Sequence, residues 1–131
     1  MMANVDTNSG HHDPTQCLSV VVPCYNEEST VLALLDKVLA SPWVAEVIVV
    51  DDGSTDGTQS QLSQVSDPRV RVVSHDINSG KGAALRTGFS LATADFVIVQ
   101  DADLEYDPGE FGDLMRPLTS GLADIVYGTR F

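Results

Sequence analysis

Three short runs, LSVVV at 18–22, VIVV at 47–50 and FVIV at 96–99, contain almost no polar residue, and each breaks off into a polar cluster. A strand with one face in water alternates apolar and polar residues, whereas a strand covered on both faces does not. Between the runs the apolar spacing becomes helical. Val31, Leu34, Leu35, Val38 and Leu39 lie on one helix face, with Asn26 or Ser29 as the expected cap and Pro42 as the stop. Further helices are expected over 56–65, over 80–93 with Leu85, Phe89 and Leu91 apolar, and over Glu110–Leu118. The expected strands are 18–22 (ended by Pro23), 46–50, 69–75 near a sheet edge, 95–100 and 123–128. Strands alternating with helices through short loops predict an α/β fold, a mostly parallel sheet with right-handed crossovers and helices on both faces.

With 131 residues there is chain enough for one domain, expected over 17–131 behind a disordered tail, 1–16, in which adjacent His11 and His12 carry no assigned role. A formal charge of −12 leaves no basic surface for a nucleic-acid backbone, so no nucleic-acid partner is expected, and a phosphate-bearing ligand would need a cation beside it. Cys17 and Cys24 flank a strand and suit neither a disulfide nor a metal site, consistent with free thiols in a reducing compartment. No signal peptide or membrane-length apolar run is visible, so the expected location is cytoplasmic, including the cytosolic face of a membrane.

The polar clusters follow the strands in turn: PCYNEE (23–28), DDGSTDGT (51–58), NSGKGAA (78–84) and DADLEYDP (101–108). An open α/β sheet gathers such strand ends on one rim, where ligands bind. That rim would carry Tyr25, Glu27, Asp51, Asp52, Lys81, Asp101, Asp103 and Glu105. Each cluster also has a plainer reading. Asp-Gly-Ser is good turn chemistry, Gly-Lys-Gly resembles a phosphate cradle but is more often a flexible helix start, and Tyr25 either stacks on a base or covers a strand end. A bare D-x-D is expected about 1.5 times by chance in a chain this rich in aspartate, so the placement of Asp101 and Asp103 after a buried strand is the informative part. Carboxylates there suit a hard divalent ion that also takes substrate phosphates. A phospho-aspartate receiver is an alternative, because VVDD and Asp101 imitate its spacing. It fails in that a full strand and helix precede Asp51, in that no lysine follows Lys81, and in leaving Tyr25, Glu27, Asp103 and Glu105 without work.

Taken together, VVVPCYNEE, VIVVDDGSTDGT, NSGKGAALRTGF, DADLEYDP and DIVYGTRF resemble the family 2 glycosyltransferases of the GT-A fold, nearest to the polyprenyl-phosphate (dolichol-phosphate) mannose and glucose synthases. The resemblance spans 18–131. It implies a GT-A, Rossmann-like sheet and inverting transfer from a GDP- or UDP-sugar donor to a polyprenyl phosphate or glycan acceptor. It implies nucleoside contacts from Pro23, Tyr25 and Glu27, a base pocket lined by Val50 and Asp52, and Asp101 and Ala102 beside the ribose and diphosphate. Asp103 would hold Mg²⁺ or Mn²⁺ and assist the leaving group, with Glu105, where relatives often carry Gln, as a second metal contact. Arg130 would meet the phosphates. Asp52 then reads the base and Asp51 shapes the loop. The family's catalytic domain runs past YGTRF, so the chain is expected to be its donor-binding part, incomplete at the C-terminus and without the general base. Weak turnover, self-association through an uncovered edge and membrane association through other sequence are the corresponding expectations, and a truncated, non-catalytic nucleotide-binding module is the alternative.

Overall fold

The computed structural model describes residues 16–102 and the strand 125–127. Five strands form one sheet: β1 (Leu18–Cys24), β2 (Val44–Asp51), β3 (Val70–Ser74), β4 (Phe96–Val99) and β5 (Ile125–Tyr127). Their order across the sheet is β3-β2-β1-β4-β5, and every neighbouring pair is parallel. The helices are α1 (Val31–Leu39), α2 (Thr58–Leu62) and α3 (Lys81–Leu91). The chain therefore builds outward from β1 in one direction, then crosses back to place β4 on its other side. The switch point lies between β1 and β4, the position at which open α/β sheets bind ligands. A receiver would have the order 2-1-3-4-5, so this strand order excludes that alternative.

Residues of β1 and β2 alternate between the two faces. Val20, Val22, Val47 and Val49 join Val31, Leu34, Leu35 and Val38 of α1 and Leu62 of α2 in one core. Ile48 and Val50 face the other way, onto Ala84 of α3. The central strands lack polar alternation because both of these faces are covered; β1 is buried at all seven positions. The edge strand β3 is half-exposed, as its alternation predicts.

The differences from expectation are local. The strand β1 runs through Pro23 to Cys24 instead of stopping before the proline. The Val21 carbonyl accepts the Gln100 N–H at 2.9 Å, so Pro23, two residues on, turns its nitrogen to the same side, where β4 has already ended at Val99. The missing donor thus falls where no ladder needs it. Asn26 and Ser29 do not cap α1; its N-cap is Thr30, with no side-chain cap bond. The helix α2 is five residues long, and tighter turns, Gln64 N–H to Gln61 O and Val65 N–H to Leu62 O, finish the segment. In α3 the fully buried positions are the small ones, Ala84 and Gly88, while Leu85, Phe89 and Leu91 are half-buried. Residues 1–15 of the expected tail 1–16 and the expected helix Glu110–Leu118 lie outside the described residues.

Candidate nucleotide site

At the carboxyl ends of β1, β2 and β4 lies an open cleft of about 390 Å³. The end of β1 supplies Pro23, Cys24, Tyr25 and Glu27, and β2 leads into Asp52. The loop after β3 and the first turns of α3 contribute Asn78, Gly80, Lys81 and Ala84, and the exit of β4 contributes Asp101 and Ala102. Six residues expected at the site, Pro23, Tyr25, Glu27, Asp52, Asp101 and Ala102, therefore share one surface. Val50 is not on it: on the same sheet face as Asp52 but two residues deeper in β2, this wholly buried side chain lies under α3, behind Ala84. Asp103, Glu105 and Arg130 lie outside the described residues.

The acidic loop 51–58 is fastened to the loop after β1. Asn26 sits at φ 55°, a region its short polar side chain tolerates, and its Oδ1 accepts the N–H groups of Thr55 at 2.8 Å and Asp56 at 3.2 Å. In return the Asn26 N–H donates to Ser54 Oγ, the Glu27 N–H to Thr58 Oγ1 and the Gly57 N–H to Glu28 Oε1, each at 2.9 Å. Asp51 is fully buried, and its Oδ1 accepts the Ser54 N–H at 3.2 Å, closing a local turn, while its Oδ2 has no hydrogen-bond partner among the described residues. On the far side Thr30 Oγ1 donates to the Ala102 carbonyl at 2.7 Å, which fixes the β4 exit against α1.

Asp52 faces three donors. Its Oδ1 lies 2.7 Å from His75 Nδ1 and accepts the Ser79 N–H at 2.9 Å, and its Oδ2 accepts the Gly80 N–H at 2.8 Å. Burial pushes this carboxyl up, but the hydrogen bonds from Ser79, His75 and Gly80 outweigh it and hold it below the usual aspartate value. It is therefore an ionised acceptor at neutral pH. Across the cleft, Lys81 Nζ meets Asp101 Oδ1 at 2.7 Å. Burial, followed by the carboxylates of Asp51, Glu27, Asp56 and Asp52, pushes the Cys24 thiol up to about 12. Cys24 is thus a neutral wall residue with no thiolate to offer a metal or an electrophile. Cys17 is also a free thiol.

Sequence reasoning passed over His75, and within the NSGKGAA cluster it singled out Lys81 but not Asn78 or Ala84. A lone histidine ending an edge strand has no local signature, because its partners, Asp52 and Thr87, are set by the crossover. Among the described residues no group of three His, Cys, Asp or Glu side chains comes together as a metal site. Asp103 and Glu105, the expected metal donors, lie outside the described residues; their side chains offer only oxygen, the donor type a hard divalent ion takes. Among the described residues, no helix is long and apolar enough to cross a membrane.

The sequence pattern of glycosyl transferase family 2 matches residues 19–131. The chain is 36% identical over 127 residues to the undecaprenyl-phosphate 4-deoxy-4-formamido-L-arabinose transferase of Pectobacterium carotovorum subsp. carotovorum (strain PC1), covering 90% of this chain and 38% of that one. Among solved structures it is similar to glucosyl-3-phosphoglycerate synthase of Mycobacterium tuberculosis in complex with Mn²⁺, UDP-glucose and phosphoglyceric acid, with a TM-score of 0.66, 33% identity and coverage of 81% and 40% of the two chains. It is also similar to the mannosyltransferase PcManGT of Pyrobaculum calidifontis in complex with GDP-Man and Mn²⁺, with a TM-score of 0.60, 34% identity and coverage of 66% and 27%. The chain thus spans less than half the length of the relatives it matches. With a parallel sheet of GT-A type, a cleft at its switch point and a family pattern spanning residues 19–131, this chain belongs to glycosyl transferase family 2.

Proposed function

We propose that the cleft holds the nucleoside diphosphate of a GDP- or UDP-sugar, and that the chain serves an inverting glycosyl transfer to a polyprenyl phosphate. The observation that carries this reading is the convergence of Pro23, Tyr25, Glu27, Asp52, Asp101 and Ala102 on one cleft at the switch point. The half-exposed ring of Tyr25 offers an apolar face to a base, and Asp52 offers an acceptor to a base N–H. Asp101 and Ala102 stand beside the ribose and diphosphate. Complexes of similar structures with GDP-Man and with UDP-glucose, each with Mn²⁺, support the ligand class.

The cleft wall carries the carboxylates of Glu27, Asp52 and Asp101 against a single lysine, Lys81, so a diphosphate needs more positive charge than the described residues supply. Asp103 and Glu105 would hold Mg²⁺ or Mn²⁺, which when bound stabilises negative charge on the departing diphosphate. Arg130 would pair with the phosphates through its planar guanidinium. A polyprenyl phosphate, the acceptor class printed in the name of the Pectobacterium relative, is already an anion and needs little general-base help. Such an acceptor would bring the protein to the cytosolic face of a membrane.

Calorimetric titration of GDP and UDP, with and without Mn²⁺, into the chain and into Asp103→Ala tests the proposal. Metal-dependent binding of one nucleotide, lost in the variant, is expected. A folded chain that binds neither nucleotide with Mn²⁺ present would refute the donor-site reading.

A further inference from the structure

His75 and Thr87 stand behind the cleft wall, and neither lines the cleft. The His75 backbone N–H donates to the Asp51 carbonyl at 2.9 Å, which sets the residue beside Asp52. Its ring then bridges two elements: Nδ1 lies 2.7 Å from Asp52 Oδ1 and Nε2 lies 2.9 Å from Thr87 Oγ1 on α3. A carboxylate only accepts, so Nδ1 carries the proton toward Asp52. In the neutral ring Nε2 receives the Thr87 hydroxyl, and in the charged ring it donates to Thr87 Oγ1, so the ring keeps one orientation in both states. The histidine side chain is 18% exposed and that of Asp52 5%, so water competes poorly for these bonds.

An ionised carboxylate has about four acceptor positions. Asp52 uses three, for His75, Ser79 N–H and Gly80 N–H. The Asp52 side chain thereby holds the loop that brings Asn78 and Lys81 to the cleft, and one acceptor position on Oδ2 is left over. We propose that Thr87 and His75 are positioning residues that fix the rotamer of Asp52, so that the remaining Oδ2 position is aimed at a nucleobase N–H and the 78–81 wall is held for the diphosphate. The order Thr-His-Asp is also that of a nucleophile relay, but a hydroxyl that lines no part of the cleft has no substrate to attack.

This inference rests on the nucleotide reading above, and its test separates the two. Thr87→Val removes the hydroxyl at nearly constant volume, and Thr87→Ser keeps it. Calorimetry with GDP and UDP in the presence of Mn²⁺, together with NMR amide exchange at Ser79 and Gly80, is run on the wild type and both variants. Thr87→Val should weaken the preferred nucleotide about fivefold, the worth of one hydrogen bond, and speed exchange at both amides. Thr87→Ser should restore both. If the wild type binds but Thr87→Val leaves affinity or exchange unchanged, the positioning role is wrong and the nucleotide reading stands. If the wild type binds neither nucleotide, both fall. Should Thr87→Val not fold, His75→Gln, whose amide reaches toward Thr87 but not Asp52, must give the same weakened affinity and faster exchange; wild-type values in it would overturn the proposal.

Discussion

Replacing Gly88 with alanine sets two effects of known size against each other. Inside a helix alanine is favoured over glycine by about 0.8–1.0 kcal/mol, so on propensity alone Gly88→Ala should stabilise α3. The packing opposes it. A Cβ at Gly88 would sit well inside van der Waals contact with Val21 Cγ1, and 3.2 and 3.3 Å from Val21 Cγ2 and Cβ. Turning Val21 about χ1 can at best bring its Hβ to the clashing position, a stiff β-branched rotation, and its Cβ, 3.3 Å from the new atom, moves only with the backbone of a central, fully buried strand. Helix and sheet must therefore separate, and overpacking of this kind costs about 1–3 kcal/mol. The expected net result is a loss of about 1 kcal/mol, read as a lower midpoint in urea unfolding at unchanged slope. Val21→Ala alone should cost about 2–3 kcal/mol through the cavity it leaves. In the double variant the new methyl enters that space, so the combined loss should fall short of the sum by about 1 kcal/mol or more. A Gly88→Ala protein as stable as the wild type, or more so, would show that α3 does not rest on Val21 as described.

Gly53 is at φ 76°, and a Cβ there would meet Asn78 N at 2.5 Å and Ile77 C at 2.9 Å, so Gly53→Ala should cost about 2 kcal/mol or more and weaken nucleotide binding; an unchanged melting temperature would contradict this. Lys81→Gln should change stability by no more than about 0.5 kcal/mol, since the pair with Asp101 is largely exposed, yet lower GDP or UDP affinity while leaving the bare nucleoside unaffected; equal loss for both ligands would argue against a phosphate role. Glu46 Oε2 accepts the Thr93 N–H at 2.6 Å, the Thr93 hydroxyl at 2.9 Å and the Ser19 hydroxyl at 2.5 Å. Burial pushes the Glu46 carboxyl up, but the bonds from Ser19 and Thr93 bring it below the usual glutamate value. A folded-state value lowered in this way means stability that is complete above the unfolded value, about pH 4.3, and lost as pH falls through the folded one. The melting-temperature gap between wild type and Glu46→Gln should thus be widest near neutrality and close in acid, and a gap independent of pH would refute the assignment.

The strands were legible because both faces of β1 and β2 are covered, which removes polar alternation from the sequence itself. Their ends were less so. Glu46, read as the start of β2, is its third residue, and its carboxylate is retained at the sheet through Ser19 and Thr93, partners remote in sequence. Pro23 read as a strand stop because a missing N–H is normally fatal in a central strand; only the length of β4 shows that nothing there required one. Asn26 had the chemistry of a helix cap, and it spends that chemistry on Thr55 and Asp56, across the loops rather than along the chain. At the cleft, Tyr25, Glu27, Asp52 and Asp101 were legible because each lies in a polar cluster that follows a buried run. Val50 misled because it shares a motif and a sheet face with Asp52 but lies one step deeper along the strand, under Ala84 of α3, and His75 was missed because no periodicity links it to Thr87.

The proline at position 23 also bears on how the cleft endures. A parallel ladder lengthens by adding rungs, and the next rung between β1 and β4 beyond Val21 and Val99 would require an N–H from residue 23. An imino nitrogen has none, in any rotamer and at any pH. The opening between the two strands is thus enforced by covalent structure, not by the shape or charge of the side chains around it. Those side chains can be exchanged for others, to suit a different ligand, without the sheet annealing across the space they line.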